Sequence, residues 1–355
     1  MNRTNGKGRR MGKWVSGALF AAMLLYPMPL AAAGSDGGRC YVALGDSISS
    51  GYGLKEEEQM FTQQVANQND FQLTSLAQNG ETSETLLQRL NDPEAAASVA
   101  QADVITITIG GNDLMNALYA YLFHQYQEKN PDATIKQEDI KAAMMGGDMT
   151  MLAFALDVTP GFADSQEEKD ALALFVSNLT QVVTAIRDVN PQVCLVLTNQ
   201  YDPYSHLVKE LSKYPLVSDA AEQISCAFST GVSTLNSAIA SVGALMGCSV
   251  VDVYTAFADA QENPCNAGMS AAMKLNLDFH PNAYGHSLIA QAVTAAANAQ
   301  LGTGTRTVSG QTTDLIQGED KAGQEIWLVT AGTAGACLVA VVTVWRSRRC
   351  GGWKR

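Results

Sequence analysis

Short apolar runs alternate with longer helical patterns along most of this chain, and that alternation constrains its fold more than any other feature. CYVAL (40–44), VITITI (104–109), VCLVLT (193–198) and CSVVDV (248–253) are apolar and rich in β-branched residues. Each is short for a core helix and lacks a polar face, so each reads as a strand buried on both sides. FQLTSLA (71–77) is a further candidate. Between these runs lie EEEQMFTQQVANQ, DALALFVSNLTQVVTAIRDV and SDAAEQISCAFSTGVSTLNSAIASVGA, and AYGHSLIAQAVTAAANA closes the series, all with helical period. The order predicts an α/β fold with a mostly parallel sheet, whose ligands gather beyond the carboxyl ends of the strands.

Residues 114–170 interrupt the alternation and read as a helical insertion over that face. LYAYLF and MTMLAFAL give it two apolar patches, which either line a groove for an apolar ligand or bury the insertion's own helices. The ends of the chain have a different character. In residues 1–33, Arg3, Lys7, Arg9, Arg10 and Lys13 flank or precede the apolar WVSGALFAAMLLYPMPL, and AAAG offers small residues for cleavage after Ala33. This is the pattern of a signal peptide. After a domain at 34–300, residues 301–325 have no periodicity and read as a flexible linker. Ile326 to Trp345 then run for 20 residues without a charge. As a helix that segment spans roughly 30 Å, the thickness of the hydrocarbon core. The tail 346–355 carries five basic residues and no acid, which places it in the cytoplasm and the domain outside the cell, tethered by one membrane helix.

Charge follows the same division. Residues 34–325 contain 13 Lys and Arg against 35 Asp and Glu, a net charge of −22. A surface of that sign repels nucleic acid and leaves neutral or cationic substrates open. Export permits disulfides, and Cys226 with Cys265 is the pair that the sequence favours, since both flank loops or helix ends. Cys40, Cys194, Cys226, Cys248 and Cys265 contain no CxxC spacing, which argues against a metal cluster.

The strand ends carry the chemistry. The first ends in Gly45-Asp46-Ser47, and VITITI ends in Gly110-Gly111-Asn112-Asp113. Asn79-Gly80 stands at a turn, and LDFHPNAYGH, with Asp278 and His280, precedes the last helix. Loops at one sheet edge converge, so a serine, a base and oxyanion donors can meet there. Ser47 alone would read as a helix cap. With His280 as base, and with the backbone N–H groups of Ser47 and Gly80 and the side-chain amide of Asn112 as an oxyanion hole, the set suits ester hydrolysis. His286 reads as a surface or packing histidine, and His124 and His206 have no comparable context.

These residues resemble the GDSL, or SGNH, hydrolase family of esterases and lipases over roughly residues 40–298. The resemblance implies a flavodoxin-like three-layer α/β/α sandwich. Gly45-Asp46-Ser47 matches the family's first block and makes Ser47 the nucleophile. Gly80 matches the second, Gly110-Gly111-Asn112-Asp113 the third, and His280 is the base of the last. One departure stands out. The family places its acid three residues before the histidine, where this chain has Leu277, and Asp278 is only two before. Either Asp278 orients the imidazole or a backbone carbonyl near Leu277 does. The expectation is a serine esterase or lipase of the cell surface, working through an acyl-enzyme on an ester substrate such as a lipid or acetylated glycan, without cofactor or metal. The alternatives are an O-acetyl deacetylase of cell-wall polysaccharide and a non-catalytic surface binding protein.

Overall fold

In the computed structural model the described residues are 38–303, apart from 147, 213–217, 270–274 and 277. The expected signal peptide, membrane span and basic tail lie outside them, as does nearly all of the expected linker.

Five parallel strands form the central sheet: β1 (Cys40–Gly45), β2 (Gln72–Ser75), β3 (Val104–Thr108), β4 (Cys194–Thr198) and β5 (Ser249–Val251). Their spatial order is β2-β1-β3-β4-β5, the doubly wound order in which the chain reverses direction between β1 and β3. Alternate side chains face opposite layers. Tyr41 and Ala43 of β1, Val104 of β3 and Val196 of β4 enter one core, whereas Val42, Leu44, Ile105, Ile107, Leu195 and Leu197 enter the other. Burial on both faces explains why these strands appear in the sequence as continuous apolar runs.

On the first face lie α1 (Phe61–Asn69) and α11 (Ala283–Thr303), joined by α8 (Ser205–Leu211) and α10 (Val253–Ala258). Helix α11 continues through Thr303, so the first residues of the segment read as linker are helical. The second face is covered by α2 (Ser83–Arg89), α3 (Pro93–Gln101), α7 (Gln166–Val189) and α9 (Ser218–Met246). Among the described residues α7 is the helix long and apolar enough to cross a membrane. Its Phe175, Leu179, Val182, Val183 and Ile186 are buried in the sheet's core.

The insertion is helical: α4 (Gly111–Lys129), α5 (Gln137–Met145), α6 (Met149–Val158) and a 3₁₀ segment, Thr159–Asp164. It has a small core of its own, in which Leu118, Leu122, Ile140, Ala155, Val158 and Phe162 meet. A two-stranded antiparallel ribbon, β6 (Gly268–Met269) with β7 (Leu275–Asn276), precedes the His280 loop.

Candidate active site

The turn after β1 is built for a tight reversal. Gly45 has φ +110°, and a Cβ there would lie 2.0 Å from the Thr108 carbonyl oxygen, so only glycine fits. The Asp46 N–H donates to that same carbonyl at 3.0 Å. Asp46 is buried, and its Oδ1 accepts from the Ile48 N–H at 3.1 Å and from Thr108 Oγ1 at 2.8 Å. With the Thr108 proton committed, Ser49 Oγ donates to Thr108 Oγ1 at 2.8 Å. Burial pushes the Asp46 carboxyl up to about 6, despite the Thr108 and Ile48 bonds. Ser47 stands at the end of this braced turn, just beyond β1 and beside the sheet's switch point.

His280 Nε2 lies 3.0 Å from Ser47 Oγ, and His280 Nδ1 lies 2.6 Å from Asp278 Oδ1. The imidazole is buried apart from a relative exposure of 8%. A carboxylate at Nδ1 requires the proton there, which leaves the Nε2 lone pair facing the serine hydroxyl. Asp278 Oδ1 also accepts the His280 backbone N–H at 3.1 Å, and Oδ2 accepts from Asn266 Nδ2 at 3.1 Å. Burial alone would raise the Asp278 pKa, but the bonds from the His280 ring and backbone, the imidazole charge and Asn266 hold it below the ordinary value. The two-residue spacing therefore brings acid and base together. The alternative carbonyl near Leu277 lies outside the described residues.

Asn112 is placed by the left-handed Gly110 (φ +108°), where a Cβ would lie 2.8 Å from the Phe175 ring. One Asn112 Nδ2 proton goes to the Glu81 carbonyl at 2.9 Å, leaving the second free to bond a ligand. Asp113 accepts from the Ser83 N–H at 3.0 Å and from Ser83 Oγ at 2.5 Å, and Asn178 Nδ2 donates to Ser83 Oγ at 3.1 Å. On the other side of Gly80, Ser50 Oγ donates to Asn79 Oδ1 at 2.5 Å. Bonds on both sides thus tie the Asn79–Glu81 turn to the serine turn and to the start of α4. Among the described residues, no protein acceptor is bonded to the Ser47 or Gly80 backbone N–H.

An apolar cavity of about 80 Å³ opens beside Ser47 and Asn112. Helix α4 gives it Leu114, Met115 and Leu118, the 3₁₀ segment gives Phe162, and α9 gives Phe228, Val232 and Leu235. Tyr201, Pro203 and Tyr204 from the loop after β4, with Ile48 and Phe279, add to the apolar lining. Gly80 is not part of it.

Residues 43–288 match the GDSL-like Lipase/Acylhydrolase family. The chain belongs to that family. A curated relative, the spore germination lipase LipC of Bacillus licheniformis, is 37% identical over 87 residues, 23% of this chain and 41% of that protein. The match therefore spans well under half of that relative's length. Among solved structures, a lipase from goat rumen metagenome is 22% identical and covers 73% of this chain and 97% of its own, with a TM-score of 0.47. The extracellular lipase of Streptomyces rimosus is 20% identical over 74% of this chain and 100% of its own, with a TM-score of 0.46. An acetyl xylan esterase from Geobacillus stearothermophilus is 15% identical over 73% of this chain and 94% of its own, with a TM-score of 0.40.

Other sequence expectations fare differently in this GDSL-like chain. Cys265 is a buried free thiol, so the expected bridge to Cys226 does not form. Of the two readings of His286, surface or packing, the structure supports packing: it is completely buried, and its Nδ1 accepts the Phe61 N–H at 3.1 Å. Burial pushes it down to about 4. His124 pairs with Glu167 at the surface, and His206 bonds the Phe257 carbonyl. Of the two apolar patches in the insertion, LYAYLF contributes Leu118 to the cavity, while Phe123 packs on the insertion's own core and no described side chain of MTMLAFAL lines the cavity. Sequence reasoning found α9 as a helix but missed that it and the loop after β4 line the cavity. Phe228, Val232 and Leu235 fall at helical spacing, but that signal is the same for a cavity wall as for a core face.

Proposed function

We propose that this protein is a serine hydrolase that cleaves carboxylic esters by an acyl-enzyme route. The observation that carries the reading is the continuous hydrogen-bonded row from Ser47 Oγ through His280 to Asp278, at 3.0 and 2.6 Å. His280 Nε2 takes the serine proton as Oγ attacks the ester carbonyl carbon. The N–H groups of Ser47 and Gly80 and the free Asn112 proton receive the oxyanion. The imidazolium, held by Asp278, then returns its proton to the departing alcohol. Water activated by the same imidazole attacks the acyl-serine and releases the acid. Asp278 is assigned the orienting role because its carboxylate meets Nδ1 directly.

The apolar cavity beside Ser47 supports an acyl group of several carbons over acetate, and so favours an esterase or lipase over a deacetylase of cell-wall sugars. Each buried CH₂ contributes about 0.8 kcal/mol, or roughly fourfold in kcat/KM if realised in the transition state. Turnover of a homologous ester series from acetate to decanoate by the full-length chain tests this. A rise towards the middle of the series supports the cavity as the acyl site, and a maximum at acetate favours deacetylation. A protein that keeps the fold only for binding would turn over none of them. The apolar leader, the uncharged segment 326–345 and the basic tail support placing the catalytic domain outside the cell, tethered by one helix.

A further inference from the structure

Tyr52 touches the catalytic base without any part in the chemistry above. Its ring centroid lies 4.6 Å from that of His280 with the planes inclined at 49°, yet the residue is 51% exposed. Single exposed aromatics are ordinary on protein surfaces. The placement of this one is not. Gly51 and Gly53 flank it with φ of +73° and +88°, and a Cβ at Gly51 would lie 2.7 Å from Met60 Cβ. One at Gly53 would lie 3.1 Å from Asn266 Nδ2, the group that holds Asp278. The Tyr52 N–H donates to the Ser47 carbonyl at 3.0 Å. Two left-handed glycines and a bond to the nucleophile's own carbonyl therefore fix the ring beside the acid–base pair.

The reaction divides the substrate at this point. The departing alcohol must come within hydrogen-bond reach of His280 Nε2, because that nitrogen carries the proton it receives. The acyl chain occupies the cavity, whose lining includes Ile48, Asn112 and Phe279 but not Tyr52. The alcohol therefore lies at His280 and outside the acyl cavity, where Tyr52 offers a half-solvated aromatic face. We propose that Tyr52 forms the wall of the alcohol subsite and selects esters whose alcohol carries a ring able to lie against it. The inference rests on the assignment of Ser47 and His280 above. Tyr52 is a specificity residue for the leaving group, and its aromatic face, not its hydroxyl, does the selecting: among the described residues that hydroxyl has no protein partner.

Benzyl, cyclohexylmethyl and ethyl butyrate test it, since all three give the same butyryl-enzyme and differ only in the alcohol. The full-length chain is compared with Tyr52→Phe, Tyr52→Leu and Tyr52→Ala, and each is first treated with a fluorophosphonate to show that Ser47 remains reactive. In Tyr52→Ala the ratio of kcat/KM for benzyl to ethyl butyrate should fall about tenfold, the scale of one lost ring contact with its burial. The cyclohexylmethyl ratio should fall with it, Tyr52→Leu should lie between, and Tyr52→Phe should keep both ratios within about threefold of the parent. Unchanged ratios in Tyr52→Ala would overturn the proposal. An equal loss on all three esters would also overturn it, because Tyr52 would then act by positioning or charge-stabilising His280. Failure of the parent to label at Ser47 would overturn the hydrolase reading itself, and the subsite with it.

Discussion

Asp278 Oδ1 receives both the ring Nδ1–H and the backbone N–H of His280, at 2.6 and 3.1 Å, across only two residues of chain. One carboxylate oxygen thus fixes the ring and the main chain of His280 together, and Asn266 Nδ2 holds the second oxygen at 3.1 Å. The Asn266 N–H in turn donates to the His280 carbonyl at 2.9 Å, so the loop is closed on itself.

Replacing Asp278 with Asn removes the charge that supports the imidazolium and allows the wrong tautomer. Asp278→Asn should lower kcat by ~10²–10³-fold, while thermal denaturation shows the fold retained. His280→Ala should lower it further. A loss below about threefold for Asp278→Asn would mean that another acceptor orients the ring.

The donors of the proposed oxyanion site make a separate prediction. Asn112→Ala should reduce kcat by ~10²–10³-fold with KM changed little, because its free proton bonds the substrate oxygen more strongly in the transition state. Steady-state kinetics on one good ester measure this. A rise in KM with kcat unchanged would show that Asn112 serves only to bind, or only to hold the Glu81 carbonyl.

Much of this was legible in the sequence, and the reasons differ by residue. Strands β1, β3 and β4 were visible because burial on both faces leaves them short apolar runs, with buried Thr106, Thr108 and Thr198 as their polar residues. Ser47, Asn112 and His280 were visible as residues at strand ends and before the last helix, in the order of a known family. Asp278 was legible only as one of two candidates to orient His280, because the choice depends on a turn closed by Asn266, which is a fact of three-dimensional bonding. Leu118 was recognised as apolar, but so was Phe123, and only the rotation of α4 decides which one meets the cavity.

That distinction can be measured. Leu118→Ala should flatten the dependence of kcat/KM on acyl length, whereas Phe123→Ala should leave it within about threefold of the parent at every length. Both substitutions remove packing from the insertion, so both should lower Tm. Parallel flattening by the two variants would mean that the insertion's stability, and not the cavity wall, sets the preference.

Buried carboxyls give the fold a pH dependence whose sign follows from their shifts. Burial raises Asp46 from 3.8 to about 6 and Glu81, despite its ion pair with Arg89, from 4.5 to about 7. A carboxyl with a raised folded-state pKa stabilises the fold most below its unfolded pKa, and the contribution is lost as pH rises through the folded value. His286 acts oppositely: its pKa falls from 6.5 to about 4, so its contribution is present above 6.5 and lost as pH falls towards 4. For Asp46 the contribution to stability amounts to roughly 3 kcal/mol at most. Asp46→Asn retains an oxygen for the Ile48 and Thr108 bonds and cannot ionise. Denaturant unfolding at pH 4 and pH 7 should show the parent losing stability relative to Asp46→Asn as pH rises. An identical slope for both proteins would show that Asp46 ionises in the fold as it does in the unfolded chain.

The central claim is that Ser47 is the nucleophile, and covalent labelling tests it most directly. A fluorophosphonate should attach one equivalent to the full-length chain, and mass spectrometry of the digest should place it on Ser47. Ser47→Ala should take up no label and lose at least ~10³-fold in ester turnover while melting as the parent does. Label on another serine, or ester turnover in Ser47→Ala close to that of the parent, would contradict the account.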